Sequence, residues 1–272
     1  MKNFDNVETV DKDRHANLRV KPNPDFFHAK AMNLSAVTLG ELSACTGNFP
    51  VVFLQNADTK VFIPVAMFGL RTNENIYYNE AGWDSSYVPM MIQQAPFVIG
   101  YDDRKEESSQ DLTICLDKKS PYLSDVEGVA LFTPAGEETD YLKNRNQLLS
   151  AIFEGEKLTS QFTRKIVELG LLSPIEVILQ PANGEIRKVT GLHSLNEQKL
   201  KALTPAQLQE LHSLDFLPAC YIILGSMFQL HRLIKLRNDK SDEKIVNFRI
   251  DVAPEEDAAS PAANDAAPAP QA

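Results

Sequence analysis

The residues whose types and spacing best suit chemistry lie between Asn73 and Phe97. This segment holds the only tryptophan, Trp83, with Tyr77, Tyr78 and Tyr87 close by and Asn75, Asn79, Glu80 and Asp84 among them. Aromatic faces flanked by amides and carboxylates make a platform for a sugar or a peptide, because rings cover apolar surface while polar groups fix orientation. Asn75, Tyr77, Trp83, Asp84 and Tyr87 are therefore the candidate ligand-binding residues. The same types have a second use: Trp83 and Tyr87 can anchor a long loop to a core, their polar tips hydrogen-bonded. The sequence leaves both uses open.

Other chemistries lack their residues. Nucleotide-binding loops need glycine so that backbone can approach phosphate, yet the 12 glycines are scattered and form neither G-x-x-x-x-G-K-[ST] nor G-x-G-x-x-G. His15, His28, His193, His212 and His231 form no H-x-x-x-H, H-x-D or H-E-x-x-H, so no metal is expected. There is no G-x-S-x-G. Cys45 falls near the C-terminus of an expected helix, an end that raises a thiol pKa, while Cys115 and Cys220 read as small core residues. No catalytic residue is assigned and no cofactor is expected.

The formal net charge of -10 argues against nucleic acid and anionic membranes as partners, since both reward a clustered basic face. The nearest basic cluster, His231, Arg232, Lys235 and Arg237, lies at the end of an expected helix, where cations suit the dipole. Three distant cysteines without a CxxC fit a reducing compartment. The first residues, MKNFDNVETVDKDRH, contain no apolar run of the kind a secretory signal carries. The longest apolar run, Ala219 to Leu230, is short of the roughly 20 residues that a bilayer requires. A buried helix, no transmembrane segment and a cytoplasmic location are the expectations.

The elements that must position these residues follow from periodicity and punctuation. Thr38 and Glu41 spell a capping box for a short helix that Gly47 ends, and Pro50 to Leu54 reads as a buried strand. Strands are expected within Val61–Leu70, where Pro64 interrupts, and at Ile76–Tyr78, Phe97–Tyr101, Leu112–Leu116 and Val129–Phe132. From about Asp140, Leu148, Leu149, Ile152 and Phe153, then Phe162, Ile166, Leu169 and Leu172, recur at helical spacing, with Gly170 and Pro174 at the end. Asn183-Gly184 signals a two-residue hairpin turn between Ile175–Leu179 and Ile186–Val189. Short helices are expected at Asn196–Leu203 and Pro205–Leu214, the second capped by Thr204 with Pro205 at its first position, and a long one at Pro218–Asn238.

The organisation expected is a flexible N-terminus over 1–14, one globular α+β domain over 15–238 and an acidic, Ala/Pro-rich tail over 239–272. The central sheet should be mostly antiparallel and come from the first half, the helices from the second. The tail holds eight Asp or Glu against three Lys or Arg, a net of -5, and is too poor in apolar residues to offset its ordering entropy. Within it Val246, Phe248, Ile250 and Val252 alternate with Asn247, Arg249 and Asp251, a strand pattern of period two. This island can pair with an edge of the chain's own sheet or with a partner's sheet, so Val246, Phe248 and Ile250 are the candidate partner-binding residues.

An ordered series of short motifs adds a resemblance. Phe27-His28-Ala29, Pro50–Phe53, Pro64–Leu70, Asn75-Ile76-Tyr77, Gly82-Trp83, Tyr87-Val88-Pro89, Pro96-Phe97, Leu131-Phe132, Gly136, Gly191-Leu192, Asn196-Glu197, Lys199-Leu200 and Leu224–Ser226 follow one another as in the SapC family of bacterial proteins. The chain resembles that family over roughly residues 15–237. The resemblance implies association with surface-array protein systems or with TonB-dependent carbohydrate uptake, and carries over no catalytic residues. Relatives are sometimes labelled permease components, a label the hydropathy of this chain opposes. The expected function is a non-enzymatic cytosolic accessory or binding protein, with a protein partner, in a surface-protein or nutrient uptake system. The alternative is an enzyme with an unrecognised site near the Trp83 loop.

Overall fold

A computed structural model of the chain describes residues 6–22, 25–101 and 112–254. Short strands fill the first part: β1 (Val7–Thr9), β2 (Arg19–Val20), β3 (Leu34–Ala36), β4 (Val51–Gln55), β5 (Phe62–Met67), β6 (Tyr78–Asn79), β7 (Gly82–Trp83) and β8 (Phe97–Tyr101). Helices α1 (Leu42–Thr46) and α2 (Met90–Gln93) lie among them. β9 (Leu112–Asp117), β10 (Leu123–Ser124) and β11 (Val129–Ala130) lead into the long helix α3 (Asp140–Glu168). The hairpin of β12 (Leu172–Pro181) and β13 (Arg187–Leu195) follows. Helices α4 (Glu197–Lys201), α5 (Pro205–Ser213), α6 (Phe216–Ser226) and α7 (Gln229–Lys240) then precede the last strand, β14 (Ile245–Val252).

The main sheet has six strands in the order β14-β12-β13-β4-β5-β3, every neighbouring pair antiparallel. The fold class is α+β, as expected, but three of these strands come from the second half of the chain. Pro64 does not break β5. The Met67 N–H bonds Pro50 O in the β4 ladder, so Pro64, three residues earlier, turns its missing donor to the β3 side, where β3 has just ended.

α3 ties two cores together. Its 29 residues span about 43 Å. Leu142, Leu149 and Ile152 join a smaller core with Phe97, Leu116 and Leu131, whereas Phe162 and Ile166 join the main core. Thr139 caps the helix start, accepting the Leu142 N–H at 3.4 Å. Gly170, at φ 65, supplies the left-handed residue just past its end, as its position predicts.

Several expectations shift. β1 lies inside the stretch read as a flexible N-terminus and pairs with β9 from Val7↔Asp117 to Thr9↔Cys115, a partner too distant in sequence to read. The last long helix divides into α6 and α7 at Met227–Phe228. By length and composition the stretch Phe216–Lys240 could cross a bilayer, an 18-residue part of it having a mean hydropathy of 1.2. In the fold its Cys220, Ile223, Leu230 and Leu233 are all fully buried in the main core. The turn at Asn183-Gly184 sits in a longer loop: the β12–β13 ladder stops at Leu179↔Arg187, and Pro181 pairs with Ile245 of β14 instead. β14 carries the fold past the boundary drawn at residue 238. Residues 255–272 of the acidic tail lie outside the described residues.

Candidate functional site

The β6–β7 hairpin sets Tyr78 opposite Trp83 and lays the aromatic segment over the main core. Tyr77 is fully buried, its ring edge-on to Phe49 at 4.8 Å. Its hydroxyl donates to Asn48 O at 3.1 Å. Burial pushes the Tyr77 phenol up to about 12. Asn75 fixes the approach: its Oδ1 accepts the Tyr77 N–H at 3.0 Å and its Nδ2 donates to Ala29 O at 2.7 Å. Trp83 is half-buried edge-on to Phe68 at 5.2 Å and Phe49 at 6.1 Å, and its Nε1–H donates to Tyr87 O at 2.9 Å. Asp84 is exposed and accepts from Asn79 Nδ2 at 3.1 Å.

The structure thus brings Tyr77, Trp83 and Tyr87 to one place, with Asn75 beneath and Asp84 at the rim. Each of the five has at least one polar side-chain atom hydrogen-bonded within the fold, and for Tyr77 and Trp83 it is the only donor. A sugar would have to displace these bonds to use them.

Glu41 is the centre of this anchoring. Its capping-box role was legible; its reach was not. Glu41 is only 4% exposed, and among the described residues it forms no ion pair. Oε1 accepts the Thr38 N–H at 3.0 Å, while Oε2 accepts the Tyr87 hydroxyl at 2.9 Å and the Met90 N–H at 2.8 Å. One carboxylate thereby closes the first helix turn, holds the end of the Trp83 loop and starts α2. Burial, then the Glu41 charge, pushes the Tyr87 phenol and the Cys45 thiol far up. Both stay protonated in neutral solution, so Tyr87 is a donor and Cys45 is no nucleophile.

His28 shows a comparable economy. Its Nε2–H donates to Ile92 O at 3.0 Å; Nδ1 accepts from the Tyr122 hydroxyl at 3.1 Å, which itself accepts the His28 N–H. Burial lowers the pKa of the ring and so favours the neutral form, in which Nδ1 accepts from Tyr122. Burial also lowers that of His193, whose Nδ1 has no hydrogen-bond partner. A histidine whose pKa is lower folded than unfolded takes up protons on unfolding, so stability falls as pH drops through the ordinary histidine range. The urea midpoint should fall between about pH 7.5 and about pH 5.5. His28→Gln, whose amide can still donate to Ile92 O, should reduce that fall; an unchanged pH dependence would remove His28 as a cause.

A second constellation was missed. Arg237 is 2% exposed, donating from Nε to Glu74 at 3.1 Å and to the Glu243 carboxylate and carbonyl at 3.1 and 2.8 Å. Arg71 and Arg187 also bond Glu243. Arg71 foremost, with Arg237, holds the Glu243 carboxyl below the usual range. The concavity beside them, lined by Leu70, Leu179 and Ile245, has room for about one water molecule. The signal was present: Leu230, Leu233 and Ile234 mark the buried face of α7, and Arg237 falls on that face by helical spacing. It is not one more surface cation at a helix end.

Val246, Phe248 and Ile250 lie on β14, the outermost strand of the main sheet. Phe248 turns to the His231 ring at 4.6 Å, while Val246 and Ile250 are exposed. Among the described residues no group of three His, Cys, Asp or Glu is placed to hold a metal ion.

The chain matches the profile of the SapC family over residues 10–233. No curated protein and no solved structure matches it.

Proposed function

The chain belongs to the SapC family, and we propose that it is a non-enzymatic accessory protein that acts by binding another protein, in the cytosol, within a surface-protein or carbohydrate-uptake system. The observation that carries this reading is an exposed apolar surface. Phe228, at the α6–α7 turn, is 76% exposed and stacks on His231, which packs against Phe248. Phe248 shares a strand face with the exposed Ile250 and Val252, and the exposed Val246 lies next to them at the bulge where β14 shifts register against β12. Contiguous exposed apolar side chains of this kind suit a protein contact. Support also comes from the Trp83 loop, whose polar groups serve the fold. The three buried free cysteines suit a reducing compartment.

Capture from the native host with tagged full-length chain tests the reading. A stoichiometric component of a surface-protein or uptake system should be retained by the wild type and lost by Phe228→Asp at unchanged thermal stability. A turnover abolished by changing one polar side chain in the Trp83 loop would overturn the reading in favour of an enzyme.

A further inference from the structure

β14 is the end strand of the main sheet, and among the described residues no strand pairs with its outer edge. The direction of its backbone groups can be read from one bond. The Ala253 N–H donates to Pro174 O at 3.0 Å, continuing the register Val252↔Ile175, Asp251↔Glu176 and Ile250↔Val177. Odd-numbered residues therefore turn their N–H and C=O toward β12. Phe248, Ile250 and Val252 turn theirs outward. An unpaired row of this kind, under apolar side chains, is a template for another strand. Val246 is 62%, Ile250 39% and Val252 67% exposed.

We propose that the strand taken up is β14 of a second copy of this chain, paired antiparallel about Ile250 on a two-fold axis, so that the two main sheets become one. The sequence of the strand selects this partner and this register. With Ile250 opposite itself, Phe248 lies opposite Val252 of the second copy, and about six outward N–H···O bonds close between them. On the opposite face Arg249 lies across from Asp251 of the second copy, and the symmetry repeats the pair. Neighbouring registers that satisfy the same backbone groups set Arg249 against Arg249 or Asp251 against Asp251, and like charges directly opposite are unfavourable. Arg249 and Asp251 meet within one chain at 2.8 Å, which puts both side chains on the same face of β14. The pairing goes beyond the accessory reading: it uses the strand edge and leaves the Phe228 face free, doubled across the axis.

Sedimentation equilibrium of the purified full-length chain tests it, with no client present. The wild type should show a concentration-dependent monomer–dimer equilibrium. Arg249→Asp, on an exposed face, should weaken the dimer by about tenfold or more, since two attractive pairs become repulsive ones. Arg249→Asp combined with Asp251→Arg should restore wild-type association, because the swap recreates both pairs. A chain that stays monomeric to about 100 µM, a concentration at which a 10 µM dimer would dominate, overturns the proposal. So does a dimer indifferent to both charge variants. A monomer that still captures its client through Phe228 overturns the pairing alone and leaves the accessory reading standing.

Discussion

Gly69→Ala is expected to cost about 3 kcal/mol or more. A Cβ built on Gly69 would sit 1.9 Å from Glu74 O and 2.8 Å from the carbonyl carbon. Those atoms are backbone, so no rotamer change relieves the clash. Nor can the turn retreat cheaply. The Glu74 side chain reaches back to accept the Leu70 N–H at 2.7 Å, and the Ile76 N–H bonds Phe68 O at 2.8 Å. Moving Glu74 would also disturb its bond to Arg237. The urea midpoint should fall sharply with an unchanged slope, and the chain should express poorly. A loss under about 1 kcal/mol would mean that the turn is far more pliable than its bonds imply.

Arg237→Met comes second, at about 2–4 kcal/mol. Methionine keeps the buried stem and deletes the charge. Breaking a buried pair is costly because the remaining charge loses its partner; here Glu74 loses its cation, while Glu243 keeps Arg71 and Arg187. Both Glu74 and Glu243 keep some contact with water, at 20% and 30% side-chain exposure, which moderates the loss. The damage should be local as well as global. Arg237 also donates to the Glu243 carbonyl, and Asn238, on the next position of α7, bonds both Ile245 N and Ile245 O at 2.8 Å. These contacts clamp the start of β14. Hydrogen exchange should therefore rise at Arg249 and Asp251, whose amides face β12, before it rises in β12 itself. Uniform acceleration across the sheet would show that Arg237 holds the whole core rather than the edge strand.

What could be read in advance divides by distance along the chain. The two capping boxes, Thr38 with Glu41 and Thr204 with Gln207, form as written because their partners are three residues apart. The α3 periodicity and the alternation of β14 were legible for the same reason. Pairings across distance were not. β1 finds β9 more than one hundred residues away, and no local signal in Val7–Thr9 names that partner. The aromatic cluster was legible as a cluster, since Tyr77, Trp83 and Tyr87 crowd into a few positions. What those residues face was not, because Phe49, Phe68, Asn48 and Glu41 arrive from elsewhere in sequence. Glu41 could be named as a cap but not as the carboxylate that holds Tyr87 and α2. Arg237 was misread because charge outweighed spacing; the helical repeat alone would have turned it inward.

Under the function proposed above, the Trp83 loop holds the fold together while binding uses the exposed apolar surface. Trp83→Phe keeps a ring against Phe49 and Phe68 and deletes the Nε1–H bond to Tyr87 O. Thermal unfolding and capture of the client should be measured on the same preparation. Stability should fall by about 1–3 kcal/mol, with client capture at full stoichiometry below the melting temperature. Unchanged stability with lost capture, or with a lost catalytic turnover, would contradict this reading and return the loop to the role of a ligand site.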